Sequence, residues 1–347
     1  MFDFDALHQT LTTLPASRPT ESDWPRHHID ELQPSGVFRT NIDTAHGGID
    51  VTPEEQLQIY TLLAQYHLPL ALILTQHDGA CQFIQSSQPH PKGAEVLESI
   101  TKQSALATIG ISQLTTSHQG GAPALTATPT EEGYIFEGLI PWMTSAGQAS
   151  WLVVGATLKG STQQVLACIP MHSEGLNIAP LQSLVALNES WTSSARCEKM
   201  LVPHTSILRG PSEHVLARRS PVKSLTVTSV AMGMAKRLLM HCKQYDQHNA
   251  FTDILEQVEV RQNTLHKRLL AAVQPTTQED PVALRADFND HLSRLALTLQ
   301  TLAKGTGYAT HHNAQRDIQE AHFFLVWSAP TPLRYNTLTR LWDIEST

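Results

Sequence analysis

The stretch IPWMTSAGQASWLVVGA, residues 140–156, places Trp142 two positions before Thr144, with Ser145 directly after it. Only 6% of the residues are aromatic, so a tryptophan beside hydroxyl groups needs an explanation. One interpretation is a core tryptophan followed by a turn that begins at Thr144 and Ser145. The other is a binding surface, because an aromatic plane stabilises a planar heterocycle and a neighbouring hydroxyl can hydrogen-bond its edge.

Signatures of several other chemistries are missing from the sequence. It contains no P-loop, G-x-G-x-x-G, G-x-S-x-G or H-E-x-x-H motif, so nucleotide hydrolysis, Rossmann binding, α/β-hydrolase and zincin functions lack support. Histidines occur as the pairs His27-His28 and His311-His312. Adjacent residues on a helix point about 100° apart and cannot easily share a metal ion. We therefore expect surface or capping histidines and no metal site.

Composition limits the partners of the chain. The formal net charge is −8, with 24 lysines and arginines and no basic run, so nucleic acid and anionic membranes are not expected partners. Asp3 and Asp5 stand where a signal peptide would be basic, and the clearest apolar run, 68–74, is too short to span a membrane. The four cysteines form no C-x-x-C pair, which favours reduced, buried thiols. A cytoplasmic protein is expected.

Hydrophobic spacing divides the chain into three segments. From 1 to 103 the spacing is helical, with a predicted helix start at Thr52 and Pro53. From 104 to 208 alternating and continuous apolar runs predict strands, including a hairpin that turns at 131–133. From 209 to 347 helical spacing returns four times. The predicted fold class is α+β, with an N-terminal helical domain, a middle β-barrel or sandwich domain and a C-terminal four-helix bundle.

This order of segments resembles the acyl-CoA dehydrogenase family, and the middle segment also resembles it in sequence. Residues 111–158 are similar to the family's L-T-E-P-x-x-G-S-D loop, its G-Y-x-x-x-G-x-K-x-W/F-I-T hairpin and the strand that follows. LACIPMHSEGLNIAP and KMLVPHTSIL are similar to later β segments, IDTAHGGI to an I-P-x-x-Y-G-G loop, and AMGMAKRLL to the helix that opens the bundle. The resemblance implies an acyl-CoA dehydrogenase-like fold and a flavin cofactor, FAD with FMN as the alternative.

The resemblance also implies roles for individual residues. Trp142 takes the position that packs on the flavin isoalloxazine, and Thr144 the position that hydrogen-bonds near N5 and O4. Thr115 takes the position that approaches the pyrimidine end of the ring. Backbone groups of two glycine segments are implied to approach the rest of the cofactor, namely Gly120 and Gly121 at the pyrophosphate, and Gly305 and Gly307 in a turn of the bundle.

Two departures weaken the implied cofactor site. Thr116 and Ser117 replace the family's Glu-Pro, and Gly120-Gly121-Ala122 replaces Gly-Ser-Asp, so a serine contact to phosphate is lost. The R-x-x-F-G segment through which a neighbouring subunit usually grips the pyrophosphate is also missing from the bundle. Simple helix termination remains an alternative explanation of Gly305 and Gly307.

A third departure concerns catalysis. Ser328 and Lys223 occupy the two positions at which family members carry the glutamate base, so no catalytic residue is identified. Glu320, Asp317 and Glu213 are the nearest carboxylates, and each is interpreted as a solvated helix residue.

Three functions stay open at this stage. The first is a flavin-dependent oxidoreductase that acts on the CH–CH group of an acyl thioester or similar substrate. The second is a flavin-dependent monooxygenase on the same fold, and the third is a non-catalytic binding or scaffold protein. The resemblance also implies a small-molecule substrate such as an acyl-CoA, and assembly as a homodimer or homotetramer.

Overall fold

The computed structural model describes residues 2–15, 23–115, 121–217, 222 and 224–344. The sites predicted at Thr116, Ser117, Gly120 and Lys223 lie outside these residues. The helices are α1 (Phe4–Thr13), α2 (Arg26–Leu32), α3 (Pro53–Tyr66), α4 (Leu68–Gln85), α5 (Pro91–Gln103), α6 (Thr226–Tyr245), α7 (Thr252–Ala271), α8 (Pro281–Ala303), α9 (Asn313–Phe323) and α10 (Thr331–Leu341). The strands are β1 (Ala107–Gly110), β2 (Leu125–Pro129), β3 (Gly133–Met143), β4 (Trp151–Leu158), β5 (Gln164–Pro170), β6 (Leu176–Ile178), β7 (Ser193–Pro203) and β8 (Ile207–Ser212).

The strands, which lie between the two groups of helices in the chain, form one mixed sheet. Their order is β6-β7-β3-β2-β4-β5-β8, and β1 pairs in parallel with β4. The predicted hairpin is confirmed, because β2 and β3 pair antiparallel with Leu125 opposite Gly138. The predicted order of helices, strands and helices is therefore the order observed. The exact domain boundaries stay predictions, and β8 continues to Ser212.

The start of α3 follows the sequence closely. Thr52 accepts a hydrogen bond from the Glu55 backbone N–H, and the Glu55 side chain accepts one from the Thr52 N–H. This reciprocal capping box satisfies two backbone donors, and Pro53 loses nothing at the first helical position. Histidine Nδ1 atoms cap three other helices. One of these histidines is His312 at the start of α9, which agrees with the capping role expected for the His311-His312 pair.

Close packing joins the N-terminal helices to the bundle. A Cβ atom at Gly233 of α6 would lie 2.1 Å from the Thr61 carbonyl oxygen of α3, so only glycine permits this approach. The Thr61 hydroxyl donates to the Ser229 carbonyl across the same contact, at 3.0 Å. One apolar core accordingly contains side chains from α3, the sheet, α6 and α8.

The last predicted helical segment differs from its expected form. Two helices of 11 residues each, α9 and α10, take the place of one long helix after Thr310. Pro330 occupies the N-cap position of α10 and Pro332 lies in its first turn, and prolines at these places cannot continue a preceding helix.

Two further findings concern the whole described chain. The four cysteines are buried and unpaired, which confirms the prediction of buried thiols. Of the helices that the structure describes, none is long and apolar enough to cross a membrane.

Candidate functional site

Trp142 lies on the surface, at the penultimate position of β3. Its relative exposure is 47%, whereas Thr144, two residues later, is 8% exposed. The interpretation of Trp142 as a core residue is therefore wrong. A large aromatic side chain is therefore exposed near the end of β3, and the neighbouring threonine is buried.

Gly121 lies at the same end of the β2–β3 hairpin as Trp142. The pairing of β2 with β3 extends to a hydrogen bond from Leu139 N–H to the Ala124 carbonyl, at 2.7 Å. Gly121 precedes Ala124 by three residues and Trp142 follows Leu139 by three, so both lie at the open end of the β2–β3 hairpin, away from its turn. A Cβ atom at Gly121 would meet no atom within 4 Å. Its backbone is therefore accessible to a ligand.

Thr115 is placed by a 3-10 turn that follows β1. The buried Gln113 side chain donates to the carbonyls of Gly110 and Gly155, at 2.8 and 2.7 Å, and so holds this turn against β4. Gly155 also makes room for Leu114, whose Cδ1 would lie 2.3 Å from a Cβ there. Thr115 is itself exposed.

Thr144 is anchored by two neighbouring segments. Its carbonyl accepts a hydrogen bond from the buried Thr108 hydroxyl of β1, at 2.8 Å. Its own hydroxyl lies 3.3 Å from the Thr192 hydroxyl, which in turn contacts the Ser190 hydroxyl at 2.9 Å. The Ser145 N–H donates to the Ser190 carbonyl at 2.9 Å. A row of hydroxyl groups therefore extends inward from the end of β3.

Three residues around this row have a left-handed backbone. Ser145 has φ 58°, Leu187 φ 67° and Trp191 φ 46°. Non-glycine residues pay roughly 1–3 kcal/mol for such conformations, which are concentrated at functional sites. The strain next to Trp142 and Thr144 supports a function for this region.

Gly305 and Gly307 lie on the bundle, in the turn between α8 and α9. Gly305 has open space around a built Cβ, but a Cβ at Gly307 would lie 2.4 Å from Ala303 Cβ. Close packing against Ala303 thus explains the glycine at position 307 without a cofactor. The left-handed residue of this turn is Lys304, at φ 56°, where the resembled family has its first glycine.

Ser328 lies in an exposed turn before α10, with φ 46°. A serine hydroxyl is not a general base unless another group takes its proton. The described residues therefore offer no base at this position.

The interpretation of Asp317 and Glu320 as solvated residues is wrong. Asp317 is 0% and Glu320 1% exposed, and both form ion pairs with Arg237 of α6, which is 4% exposed. Asp317 also contacts His241 Nδ1 at 2.5 Å. Glu213, in contrast, is exposed as expected, although it lies in a turn after β8 and not in a helix.

Helical spacing predicts that the charges of this cluster lie in pairs on one face of each helix, but it does not specify which helices pack together. Arg237 and His241 are four residues apart on α6, and Asp317 and Glu320 three apart on α9, so each pair shares a helix face. Burial raises the pKa of Asp317, but the Arg237 guanidinium and the His241 contact lower it more, to about 2. A carboxylate with so low a pKa is a poor base for a carbon acid.

No protein-family model matches the chain, and no curated protein does either. Solved structures match over nearly its whole length. An electron transferring flavoprotein of Acidaminococcus fermentans has a TM-score of 0.83 at 15% identity, with 97% of this chain and 96% of that chain covered. Butyryl-CoA dehydrogenase from Megasphaera elsdenii has a TM-score of 0.81 at 16% identity, with 98% and 96% covered. A glutaryl-coenzyme A dehydrogenase in complex with glutaryl-CoA has a TM-score of 0.80 at 15% identity, with 94% and 90% covered.

These similarities extend across all three segments of the chain and not across one domain. They agree with the observed order of helices, sheet and helices. The chain therefore has the acyl-CoA dehydrogenase fold.

Proposed function

We propose that this protein is a flavin-dependent oxidoreductase that acts on the CH–CH group of an acyl thioester or a similar small molecule. The observation that carries the proposal is Trp142, which is 47% exposed at the end of β3 and stands beside the buried Thr144. The fold supports it, since solved examples include a flavoprotein and two acyl-CoA dehydrogenases.

The described residues fit the ring end of a flavin. Trp142 offers an aromatic side chain that is 47% exposed, and the open backbone at Gly121 lies at the same end of the β2–β3 hairpin. In this proposal Trp142 covers the isoalloxazine, Thr144 and Thr115 bind its edge, and Gly120 with Gly121 approaches the pyrophosphate of FAD. Gly305 and Gly307 approach it from the bundle, and FMN is the alternative cofactor. A bound flavin supplies a two-electron acceptor for a hydride.

The proton acceptor of the reaction is not assigned. Dehydrogenation α,β to a thioester requires a group that removes the α-proton. Ser328 has no carboxylate, and the carboxylates of Asp317 and Glu320 form buried ion pairs with Arg237. This arrangement favours a second candidate, a flavin-dependent monooxygenase on the same scaffold, since that chemistry needs no carboxylate base at this position. A non-catalytic protein of the same fold is the third.

Substitution of Trp142 tests the cofactor site. Stacking on an aromatic side chain contributes about 1–3 kcal/mol, by analogy with bases on aromatic residues, so Trp142→Ala should bind flavin about tenfold or more weakly. Trp142→Phe should retain most of the affinity. The matched control is Trp342→Ala, since Trp342 is 75% exposed on the bundle. Flavin titration followed by fluorescence gives each Kd. Equal affinities of Trp142→Ala and Trp342→Ala would contradict the assignment.

Anaerobic titration separates the candidate reactions. We predict that short-chain acyl-CoA bleaches the visible bands of the flavin-loaded protein, because substrate oxidation reduces the bound flavin. Flavin that stays oxidised with acyl-CoA, but supports oxygen-dependent product formation once an added two-electron reductant has reduced it, would favour the monooxygenase. We also propose that the protein forms a homodimer or homotetramer, which light scattering on the same sample tests.

A further inference from the structure

Two buried side chains with no assigned role lie behind the hydroxyl row. Glu189 is 5% exposed and His67 is 2% exposed, and Glu189 Oε2 faces His67 Nε2 at 3.6 Å. Glu189 belongs to the turn 187–191, which we call the Glu189 turn. His67 belongs to the link between α3 and α4. The pair therefore connects the N-terminal helices with the β segment.

The tautomer of His67 follows from its second contact. Nδ1 accepts a hydrogen bond from the Leu70 N–H at 3.3 Å and so caps α4. An accepting Nδ1 leaves the proton of a neutral imidazole on Nε2, which is directed at the Glu189 carboxylate. Burial lowers the pKa of His67, an effect that Glu189 opposes. Protonation of Nδ1 would also remove the cap.

Other charged and titratable groups surround the pair. The His28 ring of α2 lies 4.9 Å from the His67 ring, centroid to centroid, and its Nε2 contacts the Pro15 carbonyl at 2.9 Å. Arg237 of α6 acts on His67 through its charge. Groups from α2 and α6 therefore act on the His67 imidazole, which in turn faces the Glu189 carboxylate.

The Glu189 turn carries the acceptors that hold the end of β3. The Ser190 carbonyl accepts from the Ser145 N–H and the Trp191 carbonyl from the Ala146 N–H, both at 2.9 Å. Leu187 and Trp191 are held in left-handed conformations at the two ends of this turn. A strained turn persists only when its surroundings over-determine it, and the buried side chain of Glu189 is one such constraint.

We propose that His67 and Glu189 are positioning residues, which hold the Glu189 turn against Ser145 and Ala146 and so fix Thr144 for the flavin edge. The inference rests on the proposed function only in its last step. The carboxylate would also act on a nearby flavin through its charge, because a buried negative charge disfavours a reduced, more anionic ring.

Hydrogen exchange tests the positioning without any cofactor. In Glu189→Gln and in His67→Asn, which keeps a side-chain cap on α4, the Ser145 and Ala146 amides should exchange about tenfold faster than in the wild type. The Leu152 amide of β4 should not change. The matched control is His90→Asn, because His90 caps α5 through the Gly93 N–H. Unchanged exchange at Ser145 and Ala146 in both variants would overturn the proposal.

The flavin-loaded protein provides the second readout. Glu189→Gln should bind flavin about tenfold more weakly and raise the midpoint potential of the bound flavin, and Glu189→Asp should restore the potential. A purely structural role would leave the potential of Glu189→Gln at the wild-type value, which would overturn the link to the flavin. A wild-type protein that binds no flavin would overturn the proposed function, and the exchange result would still decide whether the pair holds the turn.

Discussion

At the scale of single residues, the carboxyl group of Asp78 in α4 shows most clearly how burial changes a pKa. Tyr60 donates to Asp78 Oδ2 at 2.6 Å, and Gln56 Nε2 lies 3.4 Å from the same oxygen. Asp78 Oδ1 and Gln56 Oε1 are buried without hydrogen-bond partners. Burial raises the pKa of Asp78 to about 7, although the Tyr60 hydrogen bond opposes the shift. A protonated Oδ1 could donate to a neighbouring acceptor and remove this deficit.

The raised pKa predicts how stability depends on pH. Between about pH 4 and pH 7 the folded protein keeps the Asp78 proton that the unfolded chain has lost, so the free energy of unfolding falls as pH rises. Above pH 7 both states are ionised at Asp78 and this contribution becomes constant. Asp78→Asn should abolish this part of the slope and stabilise the protein at pH 8 by about 2 kcal/mol or more.

Urea denaturation from pH 4 to pH 8 measures the Asp78 effect. Asp50→Asn, at an exposed aspartate, serves as the matched control and should keep the wild-type slope. An Asp78→Asn variant that is less stable than the wild type at pH 8 would show that the carboxylate is favourably solvated in the fold.

At the scale of elements, local sequence signals were sufficient to predict structures whose interacting residues are close in the chain. The capping box at Thr52 and Glu55 and the hairpin at 131–133 were both predictable from spacing, and both are observed. The environment of α9 was not, because Asp317 and Glu320 read as polar helix residues until Arg237, distant in the chain, is placed against them. Burial of a charge depends on the partner helix, which local periodicity does not specify.

The Arg237 cluster should contribute strongly to the packing of α6 on α9. Arg237→Met leaves Glu320 buried without its guanidinium, whereas Asp317 keeps Arg316 and His241. Loss of one partner of a buried ion pair typically destabilises by about 3–5 kcal/mol. Lys243→Met on the same helix removes an exposed pair with Glu259, whose side chains are 44% and 43% exposed, and should change stability by about 1 kcal/mol or less.

Thermal or urea denaturation at neutral pH compares the two variants of α6. Addition of Glu320→Gln to Arg237→Met should recover part of the loss, because the uncompensated carboxylate is then removed. Similar stabilities of Arg237→Met and Lys243→Met would mean that water or rearrangement compensates the buried carboxylates.

At the scale of the whole molecule, one apolar core unites segments that the sequence divides by composition. The order of helical and β segments was predictable, since each segment carries its own hydrophobic period. The contact between His67 and Glu189 was not predictable, because it joins two segments far apart in the chain and neither residue belongs to a recognisable motif. The exposure of Trp142 also depends on the assembled sheet.

Flavin binding is the property that the whole molecule must have if the proposed function is correct. The most direct measurement is the visible absorption spectrum of the purified protein, before and after addition of excess FAD or FMN and desalting. We predict that the bands of oxidised flavin survive desalting with one of the two cofactors. A colourless protein that retains neither FAD nor FMN would contradict the proposal and indicate that this fold serves another purpose here.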